Sequence, residues 1–444
     1  NLNKLKKEDI YMIGRFLYTK GLFLEFYNSY KKLIKPGEDS EEMIIYTLSI
    51  LEELREYNLM IELIKKQPKM LSEYYFYWGN ALKKLDKPLE AIEKYKLVDK
   101  SPYLEQSIYF IGRIYFVLGD YDNAILWSKK LKGNKGHELL TRSYFNSGQM
   151  DLFKKSAIQY IKKYPNSDLA GYYRNLLYNE SKNPNYLVWI IKHNLNSYYY
   201  QVAYNITKSS RELEEYPINY KIKVHKDSLA LLDELSSLGD PQLLIIESDN
   251  INFPNDKVFE HYIRTYYLEK NKLYNLAMKS STLAEDEFSK YSNLNLLLHP
   301  RYYNKEVSTY SKEYDVEDAL VYSVIKVSSK FDKNLIDKST YFGLMQLSLK
   351  IAKKYDSKIT PKKLLDPNIN IKIGTKYLAD LLTKYDGNIS LAIASFHNSE
   401  EEISKWKRDK NGDIDVEQIP YLDSQEYIKH VIANYYRYKS LYKN

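Results

Sequence analysis

Ala91 and Tyr95 follow Gly79 by twelve and sixteen residues, a spacing that commits this stretch to closely paired helices. A glycine removes the Cβ that would hold two helix axes apart, and a small residue twelve positions later lets the partner approach from the other side. Glycine and alanine return at Gly112 and Ala124, each 33 residues further on. A period of that length is one helix pair, and such a pair buries its apolar faces only by stacking on its neighbours. Gly119-Asp120-Tyr121 supplies the turn inside a pair, and Gly148 a similar turn after Tyr144. Near the start, Gly14, Phe26 and Tyr30 repeat the offsets with Gly21 at the turn. Three or four units are therefore readable between residues 8 and 165.

From about 166 to 295 the helical pattern continues without a clean period, through Tyr186-Leu187-Val188-Trp189-Ile190-Ile191 and Leu229-Ala230-Leu231-Leu232. Ser209-Ser210, Gly239-Asp240-Pro241 and Pro254-Asn255 read as turns between further helices. No strand-rich stretch and no glycine-rich phosphate loop breaks the pattern, so the expected class is all-α. With 444 residues the chain has room for two domains with substantial cores. The boundary is expected at Leu297-Leu298-His299-Pro300, giving a repeat array over 1–297 and a second domain over 298–444. The array resembles the tetratricopeptide repeats, which stack into a superhelix with a concave binding face. Its tyrosines and leucines read as helix packing. The 47 tyrosines against 14 phenylalanines run through the whole chain and are no binding signature.

Composition excludes several classes. There is no cysteine, and the seven histidines are scattered without ligand spacing, so neither a disulfide framework nor a zinc cluster is expected. No metal or other cofactor is called for. A net charge of +8, spread in pairs such as Lys353-Lys354 and Lys362-Lys363, slightly favours anionic polymers and is too diffuse to argue for nucleic acid. No run of eighteen apolar residues is present, so no transmembrane segment is expected. The chain opens at Asn1 without a signal-like stretch, which reads as a mature product whose export signal has been removed.

The second domain carries the chemistry. An apolar run ends in Val324-Ile325-Lys326-Val327-Ser328-Ser329-Lys330-Phe331, and Gly343-Leu344-Met345-Gln346 follows, with Gly343 fifteen and Gln346 eighteen positions beyond Ser328. A Pro-Asn-Ile-Asn-Ile-Lys-Ile-Gly stretch runs from Pro367 to Gly374. This order and spacing resemble the catalytic domain of the soluble lytic transglycosylases, lysozyme-like enzymes that cut peptidoglycan glycan strands. In that family the helix ends in Ile-Arg-Gln-Glu-Ser-x-Phe before Gly-Leu-Met-Gln, so Ser328 stands where the catalytic glutamate would. His299-Pro300-Arg301-Tyr302-Tyr303, Tyr314 to Leu320, Ile371 to Leu378, Tyr385-Asp386-Gly387-Asn388 and the tail from Ile419 to Tyr438 follow in family order. The resemblance covers roughly residues 299 to 444.

The resemblance implies an all-α chain, a tetratricopeptide-like superhelix followed by a lysozyme-like domain, in the bacterial periplasm. It implies that glycan strands are contacted by Ser329, Asp337, Met345, Gln346, Phe396, His397, Asp423 and Tyr427, with Ser328 at the acid/base position. Several of these depart from the pattern. Where the family reads Ala-Tyr-Asn-Ala-Gly-Pro-Gly, this chain has Ser395-Phe396-His397-Asn398-Ser399-Glu400-Glu401. Asp337 to Phe342 replaces a glycine-containing turn, and Asp423-Ser424-Gln425-Glu426-Tyr427 replaces Glu-Thr-Arg-x-Tyr. His397 reads as a structural or sugar-contacting residue, not a metal ligand.

Glycosidic cleavage needs an acid to protonate the leaving oxygen, and glycosidases supply a carboxylic acid whose pKa is raised by a partly apolar site. In the family resembled here one glutamate gives that proton and then takes one from the C6 hydroxyl of the same muramic acid, closing a 1,6-anhydro ring. A serine hydroxyl does neither near neutral pH. General acid-base catalysis contributes about 100- to 10,000-fold, so binding without turnover is the expectation. Asp332, Asp337 and Glu400-Glu401-Glu402 are the nearby carboxylates in sequence, and they read as solvated loop charges.

Two other readings stay open. In one, the natural protein is an active transglycosylase and Ser328 an inactivating replacement. In the other, the repeat array is an adaptor for a second cell-envelope protein and the lysozyme-like domain a glycan tether.

Overall fold

The computed structural model describes residues 40–442, apart from 101, 338–339, 399, 405, 407–411, 413, 415 and 420. The first expected repeat, with Gly14, Gly21, Phe26 and Tyr30, lies outside the described residues. Contacts group the chain into two compact units, one reaching Tyr173 and including 336–340, the other holding 174–335 and 341–444.

In the first unit helices alternate in pairs, Ser72–Lys84 with Pro88–Tyr95, then Tyr103–Val117 with Tyr121–Ser128, then Gly133–Asn146 with Met150–Lys163. The glycine spacing has the cause that the sequence suggested. A Cβ on Gly79 would lie 2.5 Å from the Tyr95 ring, and one on Gly112 would lie 2.7 Å from Leu139 Cδ2. Ala91 and Ala124 are fully buried in the facing helices. The Tyr95 hydroxyl donates to Asn80 Oδ1 at 2.6 Å, so two polar groups that this packing buries satisfy each other. Gly119 and Gly148 hold the turns at φ +80° and +75°, a region that costs a glycine nothing. Asp120 then caps the next helix by accepting from Asn123 N at 3.1 Å.

The second unit begins with further helices whose ends fall where turn chemistry places them. Gly239 closes Lys226–Leu238 at φ +72°, and Asp240 opens Pro241–Asn250 by accepting from Gln242 and Leu243 N–H groups. Leu229, Leu232, Leu235, Leu244, Phe259 and Ile263 form their shared core. The residues from 298 onward pack against these helices: Tyr302 stacks on Tyr274 at 4.2 Å with the rings 11° apart.

Among the described residues the five longest helices of the rest of the unit are α1 Asn304–Tyr314, α2 Asp318–Ser329, α3 Pro367–Lys384, α4 Ile389–His397 and α5 Leu422–Leu441. Residues 320–325 of α2 are buried without interruption, which is why that helix reads as apolar on all sides. It packs along α5, with Tyr322 and Tyr438 stacked at 5.4 Å. Strands β1 Tyr341–Phe342 and β2 Leu347–Ser348 are two residues each and pair antiparallel, Tyr341 opposite Ser348. Their connection is Gly343-Leu344-Met345-Gln346. Asp366 caps α3 by accepting from Ile369 N at 3.0 Å, with Pro367 in the first turn. The described residues are all-α apart from such short extended pieces.

Candidate functional site

Position 328 is fixed by the way α2 stops. Lys330 and Phe331 both adopt left-handed backbone, φ +51° and +62°, and the Phe331 ring is driven into the core edge-on to Tyr302 at 5.0 Å. The last turn therefore ends abruptly with Ser328 half-buried and facing α5. Its Oγ lies 3.0 Å from the Tyr427 hydroxyl. The Tyr427 ring in turn lies flat on the His397 imidazole, centroids 4.1 Å apart and planes 15° apart. Three helix positions thus meet: the end of α2, the end of α4 and the second turn of α5.

Burial pushes the Tyr427 phenol up to about 12, with the bond to Ser328 acting in the opposite direction. The phenol is neutral at physiological pH. It can donate or accept a hydrogen bond, but it is a poor proton source and no base.

The Gly-Leu-Met-Gln connection is held by a residue from α3. Asn370 is fully buried; its Oδ1 accepts from Met345 N at 2.8 Å, and its Nδ2 donates to Phe342 O and Leu364 O, each at 2.8 Å. Gly343 is at φ +72°, and a Cβ there would come within 2.5 Å of Asn370 Nδ2. Gly374, one turn further along α3, leaves room for the Met345 sulfur, which a Cβ would overlap. Gln346 sits at φ +48° and donates through Nε2 to Gly343 O at 2.6 Å and Leu335 O at 3.1 Å. Its Oε1 is buried with no hydrogen-bond partner among the described residues. A buried acceptor without a donor is a place where a ligand hydroxyl gains binding energy.

The expected site residues divide accordingly. Ser328, His397 and Tyr427 are brought together, and Gln346 offers an unused acceptor. Ser329 is turned back on its own helix, its Oγ donating to Ile325 O at 3.1 Å. Met345 is fully buried under Gly374. Phe396 packs on Tyr377 at 5.2 Å, and Asp423 is exposed in the first turn of α5. Asp337 is exposed on the short strand Ile336–Asp337, which groups with the first unit.

Among the described residues the hydrogen-bond partner of Ser328 is Tyr427, not a carboxylate. Asp332 is engaged by Asn275 Nδ2 at 3.3 Å and by the Asn334 N–H at 3.0 Å. Glu400 pairs with Lys384. Among the described residues no three histidine, aspartate or glutamate side chains cluster as metal ligands, and no helix is long and apolar enough to cross a membrane. Nothing in the order of the Pro367–Gly374 run gives Asn370 or Gly374 a role by itself; the signal for them is an asparagine three residues into a helix and four before a glycine.

The Transglycosylase SLT domain family matches residues 306–418. The chain is similar to the soluble lytic murein transglycosylase of Salmonella typhimurium, 27% identical over 152 residues, which is 31% of this chain and 23% of that protein. The match therefore spans about a quarter of the length of that relative. Among solved structures it resembles an inactive mutant of the lytic transglycosylase Slt from Pseudomonas aeruginosa, with a TM-score of 0.59 at 16% identity, covering 99% of this chain and 83% of that one. It also resembles the 70 kDa soluble lytic transglycosylase from Escherichia coli, with a TM-score of 0.53 at 15% identity, covering 97% and 80%. At these identities the structural likeness is one of fold, a helical superhelix followed by a lysozyme-like domain.

Proposed function

We propose, for a chain whose residues 306–418 belong to the transglycosylase SLT domain family, that it holds peptidoglycan glycan strands in the bacterial periplasm at the site around Ser328. In this reading it does not cut MurNAc-GlcNAc bonds by the acid/base route of that family. The observation that carries the reading is the pairing of Ser328 with Tyr427 at 3.0 Å, two neutral hydroxyls where the reaction needs a carboxylic acid. Protonating a glycosidic oxygen near neutral pH requires a group whose pKa lies close to the ambient pH. A serine hydroxyl and a phenol at about 12 both hold their protons too tightly. They suit binding instead: the hydroxyl pair and the orphan Oε1 of Gln346 offer donors and an acceptor to sugar hydroxyls. In this reading residues 298–444 are the glycan-binding domain and residues 1–297 the repeat array that carries it.

Sedimentation with purified sacculi, followed by mass spectrometry of the released fragments, tests this. Co-sedimentation without 1,6-anhydro muropeptides is expected. Release of those products by the chain with Ser328 in place would sink the reading, as would failure to sediment with sacculi.

A second reading, an active transglycosylase carrying a replacement at 328, is favoured by the integrity of the domain's frame: Asn370 holds the Gly-Leu-Met-Gln turn and Tyr427 meets Ser328. The Ser328→Glu variant separates the two. Vigorous release of anhydro products by that variant supports the second reading, and continued inactivity supports a binding domain whose altered neighbours Phe396 and His397 no longer serve catalysis.

A further inference from the structure

On a different stripe of α5 lies Arg437, only 9% exposed, with Nε and Nη2 lacking any hydrogen-bond partner among the described residues. Those two nitrogens form one edge of the guanidinium fork, the edge that grips two oxygens of a single anion. A buried cation with its donors unused is strongly unfavourable unless something of opposite charge meets it.

The neighbourhood adds positive charge. Lys326 from α2 is half-buried and donates to Asn434 Oδ1 at 2.7 Å, and Asn434 is one turn before Arg437 on the same helix. His299 is 1% exposed, with Nδ1 3.2 Å from Asn295 O and its ring edge-on to Tyr438 at 5.3 Å. Burial holds its imidazole well below the usual range, and Lys326 and Arg437 push the same way, so the ring is neutral. Burial also lowers Lys326 to about 8, against the pull of the Glu285 carboxylate and with a further push from Arg437. Glu285 is itself engaged by Asn196 Nδ2 at 2.9 Å. The carboxylate acting on Lys326 is therefore already in use, and the charge partner of Arg437 is the Tyr200 phenol, which is neutral at physiological pH.

We propose that the Nε/Nη2 edge of Arg437, with Lys326 beside it, is a binding site for a small oxyanion. The Arg437 edge lies on a different stripe of α5 from Tyr427, ten residues away.

Thermal unfolding of the full chain in inorganic phosphate, against sodium chloride at matched ionic strength, is the test, with acetate as a parallel arm. Phosphate well above its dissociation constant is expected to raise Tm by about 2 °C or more over chloride. A larger rise in acetate than in phosphate assigns the preference to a planar carboxylate instead of a tetrahedral anion, and an equal rise assigns the site to oxyanions of either shape. Arg437→Gln should abolish the anion-specific rise and Lys326→Gln should reduce it. If Arg437→Gln fails to fold, Lys326→Gln alone decides. No specific rise in the parent chain, or an undiminished rise in the variants, overturns the proposal.

Discussion

Asn370 reaches the backbone of Met345 across 25 residues of sequence, taking its N–H at 2.8 Å while donating to the carbonyls of Phe342 and Leu364. One side chain thus satisfies three backbone groups, from β1, from the β1–β2 connection and from the short turn Lys363–Leu365. The Gly-Leu-Met-Gln connection is tied to α3 in this way, though it contains almost no regular structure.

Asn370→Ala is expected to strand those three groups in the interior. Leaving buried polar groups unpaired costs about 1–3 kcal/mol each before relaxation, so a loss of several kcal/mol is expected in urea unfolding. Asn370→Asp should not rescue it, because a carboxylate supplies no donor to the two carbonyls. A midpoint within error of the parent for either variant would remove Asn370 from this role.

Tyr427→Phe should leave Ser328 Oγ without its partner while keeping the ring on His397. A destabilisation of about 1 kcal/mol is expected. Affinity for purified glycan strands should fall in parallel if the phenol also meets sugar, so the comparison of unfolding and sedimentation separates the two contributions.

Gly79→Ala is expected to force the new methyl group into the Tyr95 ring, at a cost of about 1–3 kcal/mol. Gly119→Ala meets no atoms within 4 Å, so its cost comes from the left-handed backbone alone and should be the smaller of the two. Denaturant midpoints of the two variants give the order directly.

Lys326 sets a pH dependence whose sign follows from its lowered pKa. Its ordinary value is 10.5 and burial brings it to about 8, so between those values the unfolded chain binds more protons than the folded one. Stability contributed by this residue should therefore rise with pH from about 8 to 10.5 and be flat below that window. Urea titrations at pH 7 and pH 9.5 should show this increment in the parent and its absence in Lys326→Met.

Much of this architecture is legible in the amino-acid order because its causes are local. Gly79 and Tyr95 must touch, so their spacing is constrained, and Asp120, Gly239 and Asp240 act on backbone within a few residues. The order of motifs from Val324 to Tyr427 likewise identifies the lysozyme-like domain. What escapes is direction. Ser329 and Met345 occupy expected positions, yet one side chain folds back on Ile325 O and the other lies under Gly374. Position along a chain does not say which way a side chain faces at a helix end or a turn with positive φ. The contacts of Asn370 and the surroundings of Arg437 escape for another reason: they join residues tens to hundreds apart, and no periodicity connects them.

The paired left-handed residues Lys330 and Phe331 have a consequence for what this backbone can become. Because the end of α2 is anchored by a phenylalanine ring in the core, the side chain at 328 contributes little to where its own Cα lies. The residue at 328 can therefore be exchanged while α2 keeps its end.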